Sequence, residues 1–245
     1  MIKNLFALTI LFFIHSKSMQ SQNTSDIEIE ARVTASIKEI DWAGLLRYHQ
    51  QNIDLSSKDS ISNDVIFMGD SITEGWSLYF PEFFSDNNYL NRGISGQTTP
   101  QMLIRFRQDV IELKPKVVVI LAGINDIAQN TKYYGIKEVA GNISSMVELA
   151  ISNNITPIIC SVLPADKFLW SPSIYPAELV KQLNIELSNY AEEKNILFLD
   201  YYKSMNNGFG GMKPELTNDG VHVTKEGYSL MANLVNKSIK KTLNK

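Results

Sequence analysis

The stretch Val65-Ile66-Phe67-Met68-Gly69-Asp70-Ser71 decides how the rest of the chain is interpreted. Four consecutive apolar residues are typical of a strand buried on both faces. The glycine that follows lets the backbone turn sharply, and a polar pair stands directly after the turn. The pattern predicts a buried parallel strand, and sites in sheets of this kind lie beyond the carboxyl ends of the strands.

Further apolar runs predict more strands, and helical patterns lie between them. The predicted strands cover residues 65–68, 117–121, 155–160 and 196–199, with a shorter edge strand at 89–91. Between these runs, apolar residues recur every three or four positions, as on the buried face of a helix. The pair Thr99-Pro100 is a good helix start, because it combines a capping residue with a first-turn proline. Strands that alternate with helices predict an α/β fold, a three-layer α/β/α sandwich with about five parallel strands.

The composition is that of an ordinary globular protein. Of the 245 residues, 44% are hydrophobic and 20% are charged, and the net charge is −3. Because no basic stripe is present, we expect no nucleic-acid partner. The single cysteine, Cys160, lies in an apolar run and is predicted to be a buried structural thiol, so no internal disulfide is possible. With no cluster of metal-type ligands, we expect neither a metal nor another cofactor.

The N-terminus has the pattern of an export signal. Lys3 precedes a short apolar run at residues 5–14, and small residues follow near position 18. We therefore expect residues 1–18 to be a signal peptide and the mature protein to be exported, periplasmic or extracellular, without stable membrane insertion. An uncleaved anchor is the alternative, although the run is shorter than the ~20 residues that a spanning helix needs.

Two regions follow the predicted signal peptide. Residues 19–63 are polar and are expected to form an N-terminal extension that packs on the main domain, with a helical stretch around 42–48. Residues 64–245 form the predicted main domain. The sequence gives no indication of the oligomeric state.

The three histidines leave one candidate for acid–base chemistry. His15 lies in the leader and His49 in the polar extension, whereas His222 stands three residues after Asp219, just before the last helical pattern. A carboxylate at this spacing can orient the imidazole, and the free ring nitrogen can then take a proton from a serine hydroxyl. Ser71 is the candidate serine. Each element has a plainer interpretation, because Ser71 could cap a helix and Asp219 could belong to a polar capping loop.

Two more segments suit the stabilisation of an oxyanion. Gly93 follows the edge strand and could present its backbone N–H, and Asn125 follows the central strand and could offer its side-chain amide. A flexible turn and a loop-stabilising asparagine are the respective alternatives. Together with the Ser71 N–H, these groups would supply three donors.

The four segments together resemble the SGNH (GDSL-type) esterase and lipase superfamily. The matching blocks, in chain order, are Gly69-Asp70-Ser71, the glycine of Asn91-Arg92-Gly93, Gly123-Ile124-Asn125-Asp126 and Asp219-Gly220-Val221-His222. The first motif often ends in leucine in this superfamily, and Ile72 takes that place here. The resemblance implies a flavodoxin-like sandwich. It also implies that Ser71 is the nucleophile, His222 the base, Asp219 its partner, and that Gly93 and Asn125 complete the oxyanion hole.

The substrate is the least specified feature. Phe168, Trp170 and Tyr175 lie in residues 163–176 and could form an aromatic wall beside Ser71, as could Trp76. Aromatic faces suit sugar rings and acyl chains alike, and a loop that packs on the domain edge is equally compatible with this segment.

Residues 69–76 and 91–97 resemble the branch with platelet-activating-factor acetylhydrolase-like proteins and secreted carbohydrate O-acetylesterases. We therefore expect hydrolysis of short-chain esters, most plausibly of O-acetylated carbohydrates, so the partner is a small-molecule or glycan ester. A lysophospholipase or thioesterase is the alternative activity. A non-catalytic glycan-binding module is the alternative of another class.

Overall fold

A five-stranded parallel sheet forms the centre of the protein. The computed structural model describes residues 40–57, 64–132 and 135–244. The strands are β1 (Val65–Gly69), β2 (Tyr89–Gly93), β3 (Val117–Leu121), β4 (Thr156–Cys160) and β5 (Leu197–Leu199). They pair in the order β2-β1-β3-β4-β5, and every pairing is parallel. The predicted sheet is confirmed, including the edge position of β2.

Helices cover both faces of this sheet. In the described part of the chain they are α1 (His49–Ser56), α2 (Ser71–Tyr79), α3 (Glu82–Ser85), α4 (Thr99–Asp109), α5 (Ile124–Ile127), α6 (Ile136–Ser152), α7 (Pro176–Glu193), α8 (Tyr201–Met205) and α9 (Lys225–Leu243). Helix α6 packs between α4 and α7, whereas α9 contacts α2, β3 and β5. The three-layer α/β/α sandwich is therefore as predicted.

Strand register brings three loops to one rim of the sheet. Gly69 at the end of β1 lies opposite Gly93 at the end of β2 and Leu121 at the end of β3. The strands are almost completely buried, with Ile66, for example, having no exposed surface. Because these three strands end level with one another, the residues that follow them meet at the same place.

The N-terminal region differs from the prediction. The helical stretch expected at 42–48 is wrong, since the helix begins at His49. Gly44 has φ +70°, and the Arg47 N–H donates to the Gly44 carbonyl at 3.2 Å, which makes a turn instead. The predicted signal peptide at 1–18 and much of the extension at 19–63 lie outside the described residues, so the predicted domain boundaries stay predictions.

Further findings concern chemistry and membranes. Cys160 is buried, and burial raises the pKa of its thiol well above the ordinary value, which confirms the predicted structural thiol. Within residues 40–57, 64–132 and 135–244, no group of three or more His, Cys, Asp or Glu side chains is arranged to hold a metal ion. The same residues contain no helix that combines the length and apolar character needed to span a bilayer.

Candidate active site

Ser71 stands at a sharp junction between β1 and α2. It is the first residue of α2, and the Asp70 carboxylate caps the helix by accepting from the Ile72 N–H at 3.0 Å. A side chain at Gly69 would come within 2.1 Å of the Thr73 hydroxyl and 2.8 Å of the Leu121 carbonyl oxygen. The glycine is therefore required by the close passage of the chain at this point.

The structure brings Ser71, His222 and Asp219 into one hydrogen-bonded row. The Ser71 Oγ lies 3.1 Å from His222 Nε2, and His222 Nδ1 lies 2.7 Å from Asp219 Oδ2. A carboxylate oxygen only accepts, so Nδ1 carries the proton of a neutral imidazole and Nε2 is free to accept from the serine hydroxyl. The row has the geometry of a nucleophile, a base and an acid that orients the base.

Residues 219–222, which we call the His222 loop, are held by their own backbone. Asp219 Oδ1 accepts from the N–H groups of Val221 at 2.9 Å and His222 at 2.7 Å. Partial burial acts to raise the pKa of Asp219, but the hydrogen bonds from the His222 ring and from the two N–H groups outweigh it. The pKa of Asp219 therefore lies below its ordinary value, and the carboxylate stays charged beside the imidazole.

A second carboxylate beside the row has the opposite behaviour. Asp70 is 1% exposed, and one of its oxygens has no hydrogen-bond partner among the described residues. Burial raises the pKa of Asp70 to about 7, although the hydrogen bond from Ile72 N–H and the nearby His222 act in the other direction. Asp70 is thus a structural cap that is costly to ionise.

Gly93 does not serve as the sequence predicted. Its N–H donates to Asn91 Oδ1 at 2.8 Å, so this group is not free to bind an oxyanion. A Cβ at this position would lie 2.1 Å from the Glu74 nitrogen in α2. Gly93 is therefore a packing glycine that lets helix α2 approach β2, and the predicted role in an oxyanion hole is wrong for its N–H.

The donor that fits is three residues further along. Residues 94–97 form a β-turn, which we call the Gly96 turn, closed by the Gln97 N–H and the Ile94 carbonyl at 3.3 Å. Gly96 has φ +78°, which the third position of a type II turn requires. Within the described ranges the Gly96 N–H donates no hydrogen bond. The Ser95-Gly96 dipeptide is a turn signal that the sequence reasoning passed over.

Asn125 has the freedom that Gly93 lacks. Its Nδ2 donates to the Gln97 carbonyl at 3.1 Å, and its Oδ1 accepts from Asn130 Nδ2 at 2.9 Å. A carbonyl oxygen only accepts, so these partners fix which end of the Asn125 amide is which. One Nδ2 proton is left over for a ligand. Asn130, which sequence reasoning missed, also accepts from Trp170 Nε1 at 3.2 Å.

The aromatic residues predicted to bind substrate divide into two groups. Trp76 and Phe168 are each 1% exposed, so the prediction that they line a substrate site is wrong. Trp76 stacks on Phe83 in the core with ring centroids 4.6 Å apart. Its place on the buried face of α2 explains the difference, since that face packs on the sheet.

Trp170 lies beside the row of polar groups. Its ring centroid is 6.0 Å from that of His222, and 43% of its surface is exposed. Phe168 supports it from below, with ring centroids 5.1 Å apart. Tyr175 is 81% exposed at the start of α7, and the described contacts do not connect it with Ser71.

Comparison with known proteins adds independent support. The model of the "GDSL-like Lipase/Acylhydrolase family" matches residues 67–230. Human platelet-activating factor acetylhydrolase IB subunit alpha2 is 31% identical over 173 residues, which cover 68% of this chain and 71% of the human protein.

Solved structures agree with this match. A Bacteroides fragilis protein assigned to the acylhydrolases is 50% identical, with a TM-score of 0.80 over 82% of this chain and 98% of that one. An acetylxylan esterase from Geobacillus stearothermophilus is 23% identical, with a TM-score of 0.58 over 71% of this chain and 93% of that one, and so shares the fold. The chain therefore belongs to the GDSL-like lipase/acylhydrolase family, within the SGNH hydrolase superfamily.

Proposed function

We propose that the protein is a serine esterase that removes short acyl groups, chiefly acetyl, from O-acetylated carbohydrates. The observation that carries the proposal is the row of Ser71, His222 and Asp219, in which a neutral imidazole accepts from the serine hydroxyl at 3.1 Å. Family membership supports ester hydrolysis as the reaction class.

The mechanism follows from the assigned hydrogen bonds. Ser71 Oγ attacks the ester carbonyl while its proton passes to His222 Nε2, and the Asp219 carboxylate stabilises the imidazolium that forms. The negative charge on the carbonyl oxygen is held by the Ser71 N–H, the Gly96 N–H and the spare Asn125 amide proton. The first helical N–H groups have no partner within α2, so the Ser71 N–H suits this role.

Collapse of the tetrahedral intermediate completes the acylation. The bond to the leaving alcohol breaks, and the alcohol departs with the proton from His222 Nε2. Water then attacks the acyl-enzyme, giving its proton to His222, and the second intermediate releases the carboxylic acid as Ser71 regains its proton.

Two features support a sugar as the alcohol. Trp170 exposes an aromatic face beside His222, and such a face suits the apolar side of a sugar ring. A pocket of about 470 Å³ lies against the His222 loop and is lined by several polar side chains that suit sugar hydroxyls: Asp166, Lys167, Asn207, Asn218 and Asp219. The acetyl preference is supported by the acetylhydrolase named among the relatives.

A longer acyl group is the alternative, as in a lysophospholipase or a thioesterase. Leu169, which is 65% exposed, lines the same pocket and would favour an alkyl chain there. A non-catalytic glycan-binding module is less well supported, because such a module has no need of the neutral imidazole held against a serine.

Two measurements test the proposal in sequence. Hydrolysis of p-nitrophenyl acetate is compared with that of the decanoate ester, and we expect the acetate ester to be the better substrate. Acetate release from acetylated xylan and from acetylated pectin then identifies the alcohol. A preference for decanoate would support the alternative, and no hydrolysis of either ester with no fluorophosphonate labelling of Ser71 would contradict an esterase.

A further inference from the structure

The residues that precede the main domain make specific contacts with the candidate site. The family model begins at residue 67, so residues 43–57 lie outside it. Nevertheless the Tyr48 hydroxyl donates to the Gly93 carbonyl, on the peptide that leads into the Gly96 turn. At the other end of the turn, Gln97 Nε2 donates to the Ala43 carbonyl at 2.7 Å. Both ends of the turn are therefore attached to this segment.

A buried arginine connects the segment to β2. Arg92 has no exposed surface, and its guanidinium donates to Gln51 Oε1 at 3.0 Å and to Asn52 Oδ1 at 2.6 Å. The guanidinium carbon also lies 4.5 Å from the centre of the Tyr48 ring. Burial lowers the pKa of Arg92 to about 10, which shows how strongly this charge depends on partners. Residues of α1 and the turn before it supply three of them.

A second buried arginine joins the two loops of the site. Arg105 donates from Nη2 to the Gly69 carbonyl at 3.0 Å, just before Ser71, and from Nε to Gln97 Oε1 at 2.6 Å. Asp109 accepts from Arg105 Nη1 at 2.9 Å and from Asn52 Nδ2 at 2.7 Å. A continuous chain of hydrogen bonds thus runs from Asn52 to the nucleophile turn.

These contacts set the direction of the donors. Gln97 is held by Arg105 and by the Ala43 carbonyl, and its own carbonyl accepts from Asn125 Nδ2. The same chain fixes the peptides on both sides of Gly96. A fully satisfied buried polar network is rigid, and each lost member leaves charged groups without partners.

We propose that residues 43–57 are a positioning element of the active site, which holds the Gly96 turn and Asn125 in the orientation that receives the oxyanion. The proposal rests on the esterase function proposed above. The residues of the segment act through the turn, and Tyr48 is the one whose removal changes least else, since phenylalanine keeps the ring beside Arg92.

The test is Tyr48→Phe, with Tyr89→Phe as the matched control. The Tyr89 hydroxyl donates to Asn236 Oδ1 at 3.3 Å from the opposite end of β2, so the control removes the same atom away from the site. For Tyr48→Phe we expect kcat on p-nitrophenyl acetate to fall about three- to tenfold with KM nearly unchanged, as for the loss of one hydrogen bond. Tyr89→Phe keeps the wild-type kcat.

The pH profile separates positioning from general damage. The His222 loop is untouched by the change, so the acid limb of kcat/KM stays where it is in the wild type. A wild-type kcat in folded Tyr48→Phe, or a fall in kcat that comes with a displaced acid limb, overturns the proposal. If wild-type protein hydrolyses no ester, the proposed function fails instead, and the two failures are thus distinct.

A second variant keeps the test decisive if Tyr48→Phe does not fold. Gln108 Nε2 donates to the Leu45 carbonyl at 2.7 Å and anchors the segment to α4. In Gln108→Ala we expect faster amide hydrogen exchange in residues 43–57 together with a smaller fall in kcat. Faster exchange there with an unchanged kcat would contradict a positioning role.

Discussion

The two halves of the candidate site are built in different ways. In the His222 loop, Asp219 holds the ring and backbone of a residue three positions away, and the side chains of Asp219 and His222 are 26% and 43% exposed. In the Gly96 turn, the Ser95 N–H donates to Glu74, 21 residues away, and Gln97 donates to Ala43, 54 residues away. The first half is organised by local sequence and the second by distant parts of the chain.

The difference has a functional meaning. The base and its carboxylate need only one another, so a short loop suffices to align them. Oxyanion donors must be held rigidly toward a charge that exists only during the reaction, and this requires support from outside the turn. Variants in the two halves should therefore fail differently.

The largest loss should come from the His222 loop. Asp219→Asn removes the acceptor that fixes the Nδ1 proton, so the imidazole can adopt the wrong tautomer, and kcat should fall about 10⁴-fold. The measurement is the turnover of p-nitrophenyl acetate. Asp200→Asn is the control, since Asp200 also caps a short helix by accepting from the Lys203 N–H at 2.9 Å. A loss below about tenfold in Asp219→Asn, on the scale known for such carboxylates, would separate this carboxylate from the chemistry.

The next loss should come from the oxyanion side. Asn125→Ala removes one donor and should lower kcat about 10²- to 10³-fold while circular dichroism stays that of a folded protein. Asn130→Ala should cost less, because Asn130 acts through the Asn125 amide. Equal rates for Asn125→Ala and the wild type would remove this side chain from the proposed hole.

The two carboxylates near the row should have opposite effects on stability. Burial raises the pKa of Asp70 to about 7, so the folded state binds the proton more tightly than the unfolded chain does. The stabilisation from this group is complete below the ordinary aspartate pKa and is lost as pH rises through about 7. Asp219, with a lowered pKa, contributes stability above the ordinary value and loses it as pH falls through its folded pKa.

Asp70→Asn isolates the first effect. Urea denaturation gives the free energy of unfolding of both proteins, and the advantage of the wild type should shrink by about 2 kcal/mol between pH ~4.5 and ~6.5, at most 1.36 kcal/mol per pH unit. A difference that stays constant over this range would show that Asp70 is ionised throughout.

The smallest effects compare two glycines of one segment. Gly96→Ala places an L-residue at φ +78°, which favours rotation of the peptide that carries the donor, and kcat should fall about tenfold with little loss of stability. Gly93→Ala would instead press a methyl group against the Glu74 nitrogen and should lose about 1–3 kcal/mol of stability. The reverse assignment, with loss of rate at Gly93 and loss of stability at Gly96, would restore the original sequence prediction.

This pair also marks the limit of what sequence could predict. The strands, the sandwich and the pairing of Asp219 with His222 follow from periodicity and from spacing within a few residues. The choice between Gly93 and Gly96 depends on the Asn91 side chain and on the approach of α2, which lie outside any local pattern. The buried positions of Trp76 and Phe168 were missed for a related reason, since aromatic residues serve cores and binding sites equally well.

The contacts of residues 43–57 were missed most completely. A polar segment with Tyr48, Gln51 and Asn52 has the composition of a solvated extension. Its polar side chains instead serve two buried arginines that stand 13 residues apart in the sequence, Arg92 and Arg105. Such an arrangement becomes visible only when the sheet has brought β2 and α4 together.

The most direct test measures kcat on p-nitrophenyl acetate for Ser71→Ala, His222→Ala and the double variant. Residues that act as one unit are not additive, so each single change should cost about 10⁴-fold or more and the double change should cost no more than either. Independent losses that multiply in the double variant, or near-normal turnover in Ser71→Ala, would contradict a mechanism in which His222 takes the proton of Ser71.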